Sequence, residues 1–420
     1  MEYKMAYGQG YKSLGLPEQN VAAVINPKFP RAADPGALVE AALHNPIASP
    51  ALDQLIKVKR PGRVAVIVND HTRPTPHDYM LPILLRELNH AGISNDAITL
   101  VVATGAHRGN TAAESQISLG TAASRCAIVN HNCRSTDLID MGVLSNGVHL
   151  HINPLVAEAE LVILTGMIAP HELAGFSGGR KSILPGIAGI EAITANHSLL
   201  TRGGIGTGKL DGNPVHRLMM EAMQVVKPDF ILNVVADTQN LPVHAVAGDP
   251  EKAWLAGTKL CRDSTKVRNI ITADIAFTSA GGYPRDINLY QTIKPMRSVA
   301  KFIKEGGTLV MFARCNEGAG NAVLEQWVHE AASPFELTSR LQKQFVLGGH
   351  KAHLLAELVG KVNVVLVSDM LAQSVRQFFM ESAQSPEEAL QLVTKKHGSD
   401  FKAVVIPWAG LIITENKYAW

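Results

Sequence analysis

Thr165–His197 reads TGMIAPHELAGFSGGRKSILPGIAGIEAITANH and combines two histidines, one lysine and a glycine-rich turn. The preceding Glu160–Leu164 is a short apolar run typical of a buried strand, and a helical pattern follows the turn. Packing does not explain this combination, because glycines cost backbone entropy and an ordinary loop has no need for a residue such as Lys181. Glycine-rich loops after strands often bring backbone N–H groups against an anion, so the stretch predicts a binding site.

A phosphate-binding loop is one interpretation of Gly175–Ser182. The P-loop pattern G-x-x-x-x-G-K-[ST] fits Gly175 and the final Lys181-Ser182, but Arg180 stands where the second glycine belongs. A P-loop also opens directly off its strand, whereas Gly175 lies eleven residues after Leu164. An anion-binding loop stays open, and a standard nucleotide triphosphatase is disfavoured.

The spacing of basic side chains around the turn indicates a different chemistry. His171 precedes Lys181 by ten residues, and His197 follows it by sixteen. A neutral imidazole is a good ligand for nickel, zinc or copper, whereas a lysine is a poor ligand and a good point of covalent attachment. One histidine alone would be an ordinary polar residue. Two histidines with a loop lysine indicate a site.

The motifs AGFSGGRKSILPGIA (174–188) and ANHS (195–198) resemble the core of the lactate racemase family, nickel pincer nucleotide-dependent racemases and epimerases of 2-hydroxy acids. The resemblance implies that Lys181 carries the nickel pincer nucleotide covalently, through a thioamide. It also implies that His197 binds the nickel and that His171 is one of two catalytic histidines. We further assign cofactor binding to Ser177, Gly178 and Gly179 of the same loop.

Length and composition set bounds on the class of protein. A chain of 420 residues predicts two or three domains, at ~150 residues each. A net charge of +2 offers no basic excess for nucleic acid, and no apolar run approaches the ~20 residues of a membrane span. The N-terminus shows no secretory signal, and the four cysteines lack C-x-x-C spacing. We expect a cytoplasmic protein that binds neither nucleic acid nor a membrane.

Apolar runs alternate with helical patterns through the first part of the chain. Strands are predicted at Val64–Val68, Ile98–Ala103, Cys126–Asn130, Leu161–Leu164 and Phe230–Val235, and helices at Pro35–Leu43, Met80–Leu88, Thr111–Leu119 and Val215–Val226. This alternation predicts a parallel α/β sheet with right-handed crossovers. Ligands bind such sheets at the carboxyl ends of the strands. The polar residues that follow different strands are therefore expected to converge at one edge of the sheet. They are Asp70, Arg73, His107, His171 and Lys181.

Two loops at this edge extend the resemblance. DHTRP (70–74) and TGAHR (104–108) match family motifs, which implies that Asp70 and Arg73 are polar site residues and that His107 is the second catalytic histidine. We assign Asp70 to cofactor binding and Arg73 to the substrate. From the residues alone, Asp70 or Thr72 could equally cap a helix while Arg73 lies in solvent.

The second half of the chain begins with an apolar segment, Ile270–Ala276, followed by GGYPRD (281–286) and NLYQTIKP (288–295). Both motifs resemble the second domain of the family, which implies that Gln291 and Lys294 face substrate and cofactor. We also assign Tyr290 to the substrate. Gln291 and Lys294 would share one helix face at i, i+3 spacing. Alternatively they form a solvated helix start, or the contact comes from a loop-to-helix junction before Pro295.

The resemblance also implies the domain organisation. Residues 1–266 and 362–420 would form a discontinuous first domain with a mainly parallel sheet flanked by helices, and residues 267–361 a smaller α/β domain. Further strands are predicted at Gly307–Phe312, Val364–Ser368 and Ala403–Pro407. The active site is expected in the cleft between the two domains.

The chemistry explains why such a site needs these groups. The α-hydrogen of a 2-hydroxy acid is poorly acidic, and removing it as hydride needs an electron sink that no side chain supplies. A metal-bound organic cofactor can take the hydride and return it to either face of the 2-keto acid. Two histidines with pKa values near neutrality suit the transfer of the hydroxyl proton, and Arg73 and Lys294 suit the carboxylate. We predict an isomerase whose partners are its substrate and the proteins that build its cofactor.

The resemblance is weaker at the substrate. Lactate racemase has a tryptophan close to its substrate near the end of its second domain, where this chain has GGHKA (348–352). Either His350 takes that place or it is a solvated loop residue. If it lines the pocket, the substrate is larger or more polar than lactate, such as a dicarboxylate or a sugar acid. Two other classes are a phosphate- or nucleotide-binding enzyme without nickel and a non-catalytic cofactor carrier.

Overall fold

The computed structural model describes residues 1–31 and 34–414, and the chain divides into two compact units. Unit 1 comprises Met1–Pro27 and Thr265–Trp420, and unit 2 comprises Lys28–Ser264. Unit 2 is therefore inserted into the chain of unit 1. The backbone N–H of Lys28 donates to the carbonyl of Ser264 at 2.7 Å, so the two ends of the inserted segment are adjacent.

The N-terminal part of unit 1 contains three strands: β1 (Glu2–Tyr7), β2 (Gly10–Gly15) and β3 (Val21–Val24). The first two form an antiparallel hairpin, in which Tyr7 pairs with Gly10. The third lies at the edge of the larger sheet of this unit, paired in parallel with a strand from the C-terminal part of the chain.

Unit 2 contains the strands β4 (Val64–Asn69), β5 (Ile98–Ala103), β6 (Ala127–Asn130), β7 (Ile139–Val143), β8 (His149–Ile152), β9 (Leu161–Met167), β10 (Pro170–His171), β11 (Gly175–Phe176), β12 (Phe230–Ala236) and β13 (Pro242–Gly248). Its helices are α1 (Pro35–His44), α2 (Leu52–Lys59), α3 (His77–His90), α4 (Ala112–Leu119), α5 (Pro154–Ala157), α6 (Ile190–Ser198), α7 (Pro214–Val226) and α8 (Lys252–Thr265).

The central sheet of unit 2 has the order β13-β12-β9-β4-β5-β6. All neighbours are parallel except β12 and β13, which are antiparallel. The predicted parallel sheet is confirmed, because all five predicted strands belong to it. Every residue of β9 is buried, as are the first five of β4, and this fits a sheet covered by helices on both faces.

The C-terminal part of unit 1 contains the strands β14 (Lys266–Val267), β15 (Ala273–Ser279), β16 (Ile303–Phe312), β17 (Asn363–Val367), β18 (Glu381–Ala383), β19 (Ala403–Ile406) and β20 (Ile413–Thr414). Its helices are α9 (Leu289–Val299), α10 (Ala322–Glu330), α11 (Pro334–Lys343), α12 (Gly349–Val359), α13 (Ala372–Gln377) and α14 (Pro386–His397). The large sheet has the order β18-β17-β16-β15-β19-β3 and is parallel throughout.

The units differ from the predicted domain boundaries. Residues 362–420 are predicted to belong to the first domain, but β17 pairs along β16 and β19 pairs along β15. These strands complete the sheet of unit 1, which also takes in β3, so the discontinuous unit is the one that contains residues 267–361. Residues 415–420 of the predicted domain lie outside the described part of the chain.

Each unit has its own apolar core. One cluster of buried side chains lies between Val39 and Ala247, and a second combines residues of β1 and β2 with others between Ile275 and Val405. Within the described residues, no helix has both the length and the apolar character needed to cross a bilayer.

Candidate active site

The loops after β4, β5 and β9 lie side by side, because these strands are neighbours in the sheet of unit 2. They carry the predicted site residues of this unit that were expected at one edge: Asp70, Arg73, His107, His171 and Lys181. The structure brings four of them together in two contacting pairs, Asp70 with His107 and His171 with Lys181. Their chemical roles stay predictions.

Asp70 is buried, and its Oδ2 accepts a hydrogen bond of 2.6 Å from Nδ1 of His107. Burial alone would raise the pKa of Asp70, but the charge of His107 and its hydrogen bond, with Arg73 and Thr72, hold that pKa well below its ordinary value. Asp70 is therefore ionised, and it keeps the His107 proton on Nδ1. The Nε2 atom of a neutral His107 is then the proton acceptor.

Thr72 connects Asp70 to Arg73. Its hydroxyl donates to Oδ1 of Asp70 at 2.7 Å and accepts from Nη1 of Arg73 at 3.0 Å. The helix-capping interpretation of Asp70 is wrong, because α3 begins at His77 after Pro76 and has no side-chain cap. Asp70 instead closes a local turn by accepting from the backbone N–H of Thr72.

His171 and Lys181 form the second pair. His171 lies on β10, which pairs with β11 in a two-stranded ribbon, and its Nε2 is 3.4 Å from Nζ of Lys181. Its Nδ1 accepts from the backbone N–H groups of Leu173 and Ala174, each at 3.2 Å. A neutral His171 in this arrangement carries its proton on Nε2, the tautomer opposite to that of His107.

His197 lies in the last turn of α6, where its Nδ1 donates to the backbone carbonyl of Ile193 at 2.9 Å. The proton is thereby held on Nδ1, and Nε2 of the neutral ring is the atom with a lone pair for a metal. Metal-binding histidines commonly show this arrangement, with the second ring nitrogen donating to a carbonyl or carboxylate.

A metal at His197 would need ligands other than a cluster of neighbouring His, Cys, Asp or Glu side chains. In residues 1–31 and 34–414, the one group of three or more His, Cys, Asp or Glu side chains close enough to share an ion is Glu40, His44 and Glu87. None of these is a predicted site residue. His197 therefore belongs to no group of three or more such side chains within the described residues.

Ser177, Gly178 and Gly179, predicted to bind the cofactor, make contacts within the protein. The Ser177 hydroxyl donates to the carbonyl of Met167 at 2.7 Å, and the Gly179 N–H donates to Oδ1 of Asn233 at 2.9 Å. A Cβ on Gly178, where φ is +74°, would lie 2.5 Å from the same Asn233 oxygen. These bonds shape the loop and disfavour an anion cradle at Gly179. A role in cofactor binding stays a prediction.

A polar cavity of about 290 Å³ opens beside His107, between the loops that follow β5 and β6. Arg108 and Arg134 are among its lining residues. Arg108 also contacts α4, because its Nη1 and Nη2 donate to the carboxylate of Glu114 at 2.7 Å each. The cavity has room for a small polar ligand next to a predicted catalytic histidine.

Three predicted substrate residues of unit 1, Tyr290, Gln291 and Lys294, lie on α9. Asn288 caps this helix by accepting from the backbone N–H of Gln291 at 3.1 Å. The helix continues through Pro295 to Val299, so the predicted junction before Pro295 is wrong. Since Pro295 lies in the second turn, the helix loses only the bond that its N–H would have donated to the carbonyl of Gln291.

His350 lies in the first turn of α12 and is 1% exposed, so the interpretation as a solvated loop residue is wrong. Its Nδ1 accepts from the backbone N–H of Gly348 at 3.1 Å. Its ring stacks on Phe345 at 5.8 Å and meets Tyr290 edge-on at 6.2 Å. The structure thus brings together two of the residues predicted to bind the substrate.

Sequence reasoning missed two residues that hold the glycine loop. Arg180 is buried beneath it, and Trp254 lies against Gly179, whose missing Cβ would be 2.6 Å from the indole. Arg180 was visible as the residue that broke the P-loop pattern. No sequence pattern indicated Trp254, because α8 is far from the loop in sequence and its contact with Gly179 arises only in the folded protein.

Comparisons with known proteins identify the family that this chain resembles. A family model of the lactate racemase N-terminal domain matches residues 7–208, and one of the lactate racemase C-terminal domain matches residues 268–413. The lactate racemase of Thermoanaerobacterium thermosaccharolyticum is 34% identical over 426 residues, covering 99% of both chains. The lactate racemase of Lactiplantibacillus plantarum is 35% identical over 381 residues, covering 88% of each. The apoprotein structure of the former superposes with a TM-score of 0.90 at 33% identity, covering 99% of this chain and 100% of that one.

Proposed function

The chain belongs to the lactate racemase family and is an isomerase, and on this premise we propose that it racemises or epimerises a 2-hydroxy acid with a nickel pincer nucleotide attached to Lys181. The observation that carries the proposal is the pairing of His107 with Asp70 and of His171 with Lys181 along one sheet edge. Two histidines suit a reversible proton transfer on both faces of a substrate, and a lysine beside one of them suits covalent attachment of the cofactor.

The residues present fit the cofactor. Lys181 offers an amine for the covalent bond, and His197 offers Nε2 because its Nδ1 is held by the carbonyl of Ile193. A single protein ligand suits a metal whose other ligands belong to an organic group. When bound, such a group supplies the hydride acceptor that the side chains lack. We also propose that separate biosynthetic proteins provide it.

His107 would take the hydroxyl proton of one enantiomer at Nε2. The Asp70 carboxylate stabilises the resulting imidazolium and holds the ring in the required tautomer. His171 would serve the other enantiomer. For its Nε2 to accept a proton, Nδ1 must hold one, so the ring must give up the N–H groups of Leu173 and Ala174. Proton transfer at His171 is therefore coupled to the turn at 172–174.

The substrate carboxylate is assigned to Arg73 and Lys294. The Thr72 hydroxyl fixes Nη1 of Arg73, and a guanidinium held in one orientation can bind a carboxylate through two parallel hydrogen bonds. Lys294 shares a face of α9 with Gln291. Tyr290, on the same helix, contacts His350.

We propose a substrate larger or more polar than lactate, such as a dicarboxylate or a sugar acid. The support is His350, whose buried polar ring lies against Tyr290. A purely apolar wall would suit the methyl group of lactate better. Screening 2-hydroxy acids for loss of optical activity tests this point. Turnover of lactate with none on polar acids would overturn it without affecting the assignment of the reaction.

The proposed function is tested by the intact mass of denatured protein, produced in a host able to make the pincer cofactor, with peptide mapping and nickel analysis. We expect a nucleotide-sized adduct on Lys181 and about one nickel per adduct, the stoichiometry of a metal held mainly by its bound group. Lys181→Ala should carry neither, and His197→Ala should keep the adduct and lose nickel. An unmodified Lys181 from a competent host would favour an anion-binding enzyme without nickel.

A non-catalytic carrier is distinguished by the histidines. Replacing His107 and His171 together by asparagine should abolish racemisation while the adduct on Lys181 remains. Unchanged racemisation in the double variant would overturn the mechanism. Adduct without racemisation of any 2-hydroxy acid by the wild type would instead identify a carrier.

A further inference from the structure

Arg180, the residue before Lys181, is completely buried and lies under the glycine loop. Its Nη1 donates to the carbonyls of Phe176 at 2.9 Å and Gly178 at 3.4 Å, and its Nη2 donates to the carbonyl of Ala174 at 2.6 Å. One guanidinium therefore binds three carbonyls of the loop that leads into Lys181. The planar fork of an arginine can do this, and a lysine ammonium cannot reproduce it.

Trp254 completes the support. Cζ of Arg180 lies 3.8 Å from the centre of the Trp254 ring. Nε1 of Trp254 donates to the carbonyl of Ser177 at 3.0 Å. Together the two side chains bind the carbonyls of Ala174, Phe176, Ser177 and Gly178. The loop conformation is thus set from below by one cation and the ring on which it stacks.

The burial of this charge is costly for the fold. Within residues 1–31 and 34–414, no carboxylate forms an ion pair with Arg180, and burial lowers the pKa of its guanidinium well below the ordinary value. Nε donates at 3.1 Å to Nδ1 of His216, and burial, aided by the charge of Arg180, lowers the pKa of that histidine to about 4. The ring is neutral at pH 7 and can accept. An apolar residue would avoid this desolvation cost but would leave the three loop carbonyls without their donor, so the loop conformation depends on the arginine.

We propose that Arg180 is a positioning residue that fixes the glycine loop so that Lys181 is held at His171 for attachment of the cofactor. The inference rests on the proposed function for the identity of the attached group. The geometry does not depend on the proposed function. Three carbonyls of the loop that carries Lys181 accept hydrogen bonds from Arg180, and Nζ of Lys181 is 3.4 Å from Nε2 of His171.

The test compares Arg180→Lys, which keeps the charge, and Arg180→Met, which keeps much of the volume, with a matched control. Arg262→Met removes another arginine that packs on the same loop, with Cζ 5.3 Å from the ring of Phe176. Arg262 donates to the carbonyl of Gly208 and makes no bond to the four carbonyls held by Arg180 and Trp254. Trp254→Phe is a milder change that keeps a ring under the guanidinium.

The first readout is hydrogen–deuterium exchange of the full-length apoprotein. Both Arg180 variants should exchange at least ~10-fold faster in peptides spanning 169–183, while β4 and β12 keep wild-type rates, because local opening costs less than global unfolding. Arg262→Met should match the wild type in all three regions. Equal acceleration throughout the sheet would show that Arg180 only stabilises the fold, and would overturn the proposal.

The second readout is the fraction of Lys181 that carries the adduct. We expect it to fall at least ~10-fold in both Arg180 variants and to stay unchanged in Arg262→Met, since a misplacement of about 1 Å is enough to impair such chemistry. Wild-type adduct levels in both variants would overturn the proposal. If the wild type itself carries no adduct, the proposed function fails, and the exchange experiment alone decides the role of Arg180. If neither Arg180 variant folds, Trp254→Phe takes their place in both readouts.

Discussion

Asp70 and His107 show how a single contact determines what a side chain can do. A histidine in a surface loop can adopt either neutral tautomer, but the buried Asp70 carboxylate holds the proton on Nδ1. The Thr72 hydroxyl donates a hydrogen bond to the same carboxylate, and the charge of Arg73 also lowers its pKa. The neutral ring of His107 therefore has its lone pair on Nε2, as a proton acceptor requires.

Asp70→Asn should lower the racemisation rate by about 10²–10⁴, because an asparagine no longer stabilises the imidazolium and can hold the wrong tautomer. The rate is measured by chiral chromatography on protein whose Lys181 adduct is confirmed by mass. Asp53→Asn, which changes an exposed carboxylate paired with Lys57, is the control and should leave the rate unchanged. A rate for Asp70→Asn close to wild type would remove Asp70 from the mechanism.

His350→Trp should shift substrate preference toward lactate. The change replaces a buried polar ring beside Tyr290 with the residue type that the family places near its substrate. We expect the ratio of kcat/KM for lactate to that for the preferred polar acid to rise at least ~10-fold, since a pocket that has lost a polar partner discriminates against polar groups. Phe345→Leu, which alters only the stacking partner of His350, should change the ratio less. An unchanged ratio would show that His350 does not contact the substrate.

At the scale of single elements, the loop and helix after β5 illustrate how a site residue is supported. Thr111 caps α4, and Glu114 closes a capping box by accepting from the backbone N–H of Thr111 at 2.8 Å. The same carboxylate accepts two bonds from Arg108, the neighbour of His107. The helix start and the histidine loop are therefore joined through one side chain.

Glu114→Gln should destabilise the protein near neutral pH but not in acid. The hydrogen bond from Arg108 lowers the pKa of Glu114 to about 2, with the backbone of Thr111 contributing and burial opposing. Because the folded pKa is below the ordinary value, the stabilisation is present above pH ~4.5 and disappears as the pH falls through about 2. We expect a difference of about 1 kcal/mol at pH 7, a modest value because the Arg108 partner is partly exposed to solvent.

Urea unfolding of wild type and Glu114→Gln at pH 7, 4.5 and 2.5 measures this difference. Thr111→Ser, which keeps the capping hydroxyl and the Glu114 carboxylate, should retain the wild-type pH dependence. A destabilisation by Glu114→Gln that is equal at all three pH values would show that the ionised pair contributes nothing.

The sequence patterns predicted most elements and only part of the site. Ile98–Ala103 coincides with β5 because a continuous apolar run marks a strand buried on both faces, and α1 begins at Pro35 after the cap Asp34 as predicted. The convergence of Asp70 with His107 followed from their places after adjacent strands. Arg180 could not be predicted, because its role depends on carbonyls turned toward it by the folded loop.

At the scale of the whole molecule, the placement of residues 362–414 was the largest difference from prediction. A strand such as β17 has an apolar run that suits either sheet, so the sequence pattern does not say which strand it pairs with. Backbone pairing with β16 decides it. The result is an inserted unit of continuous sequence that holds Asp70, His107, His171, Lys181 and His197, while Tyr290, Gln291, Lys294 and His350 belong to the other unit.

Residues 28–264 produced alone should fold and accept the cofactor without racemising substrate. Folding is expected because the apolar cluster of unit 2 draws all its residues from this segment and the ends of the segment are adjacent, with Lys28 bonded to Ser264. Cooperative thermal unfolding by circular dichroism and an adduct on Lys181 by mass would confirm it. A fragment of residues 28–229, which lacks β12 and β13 and so exposes β9, is the control and should not unfold cooperatively. The fragment of residues 28–264 should not racemise substrate, because it lacks Lys294 and its neighbours on α9. Activity equal to that of the full chain would show that those residues are not required.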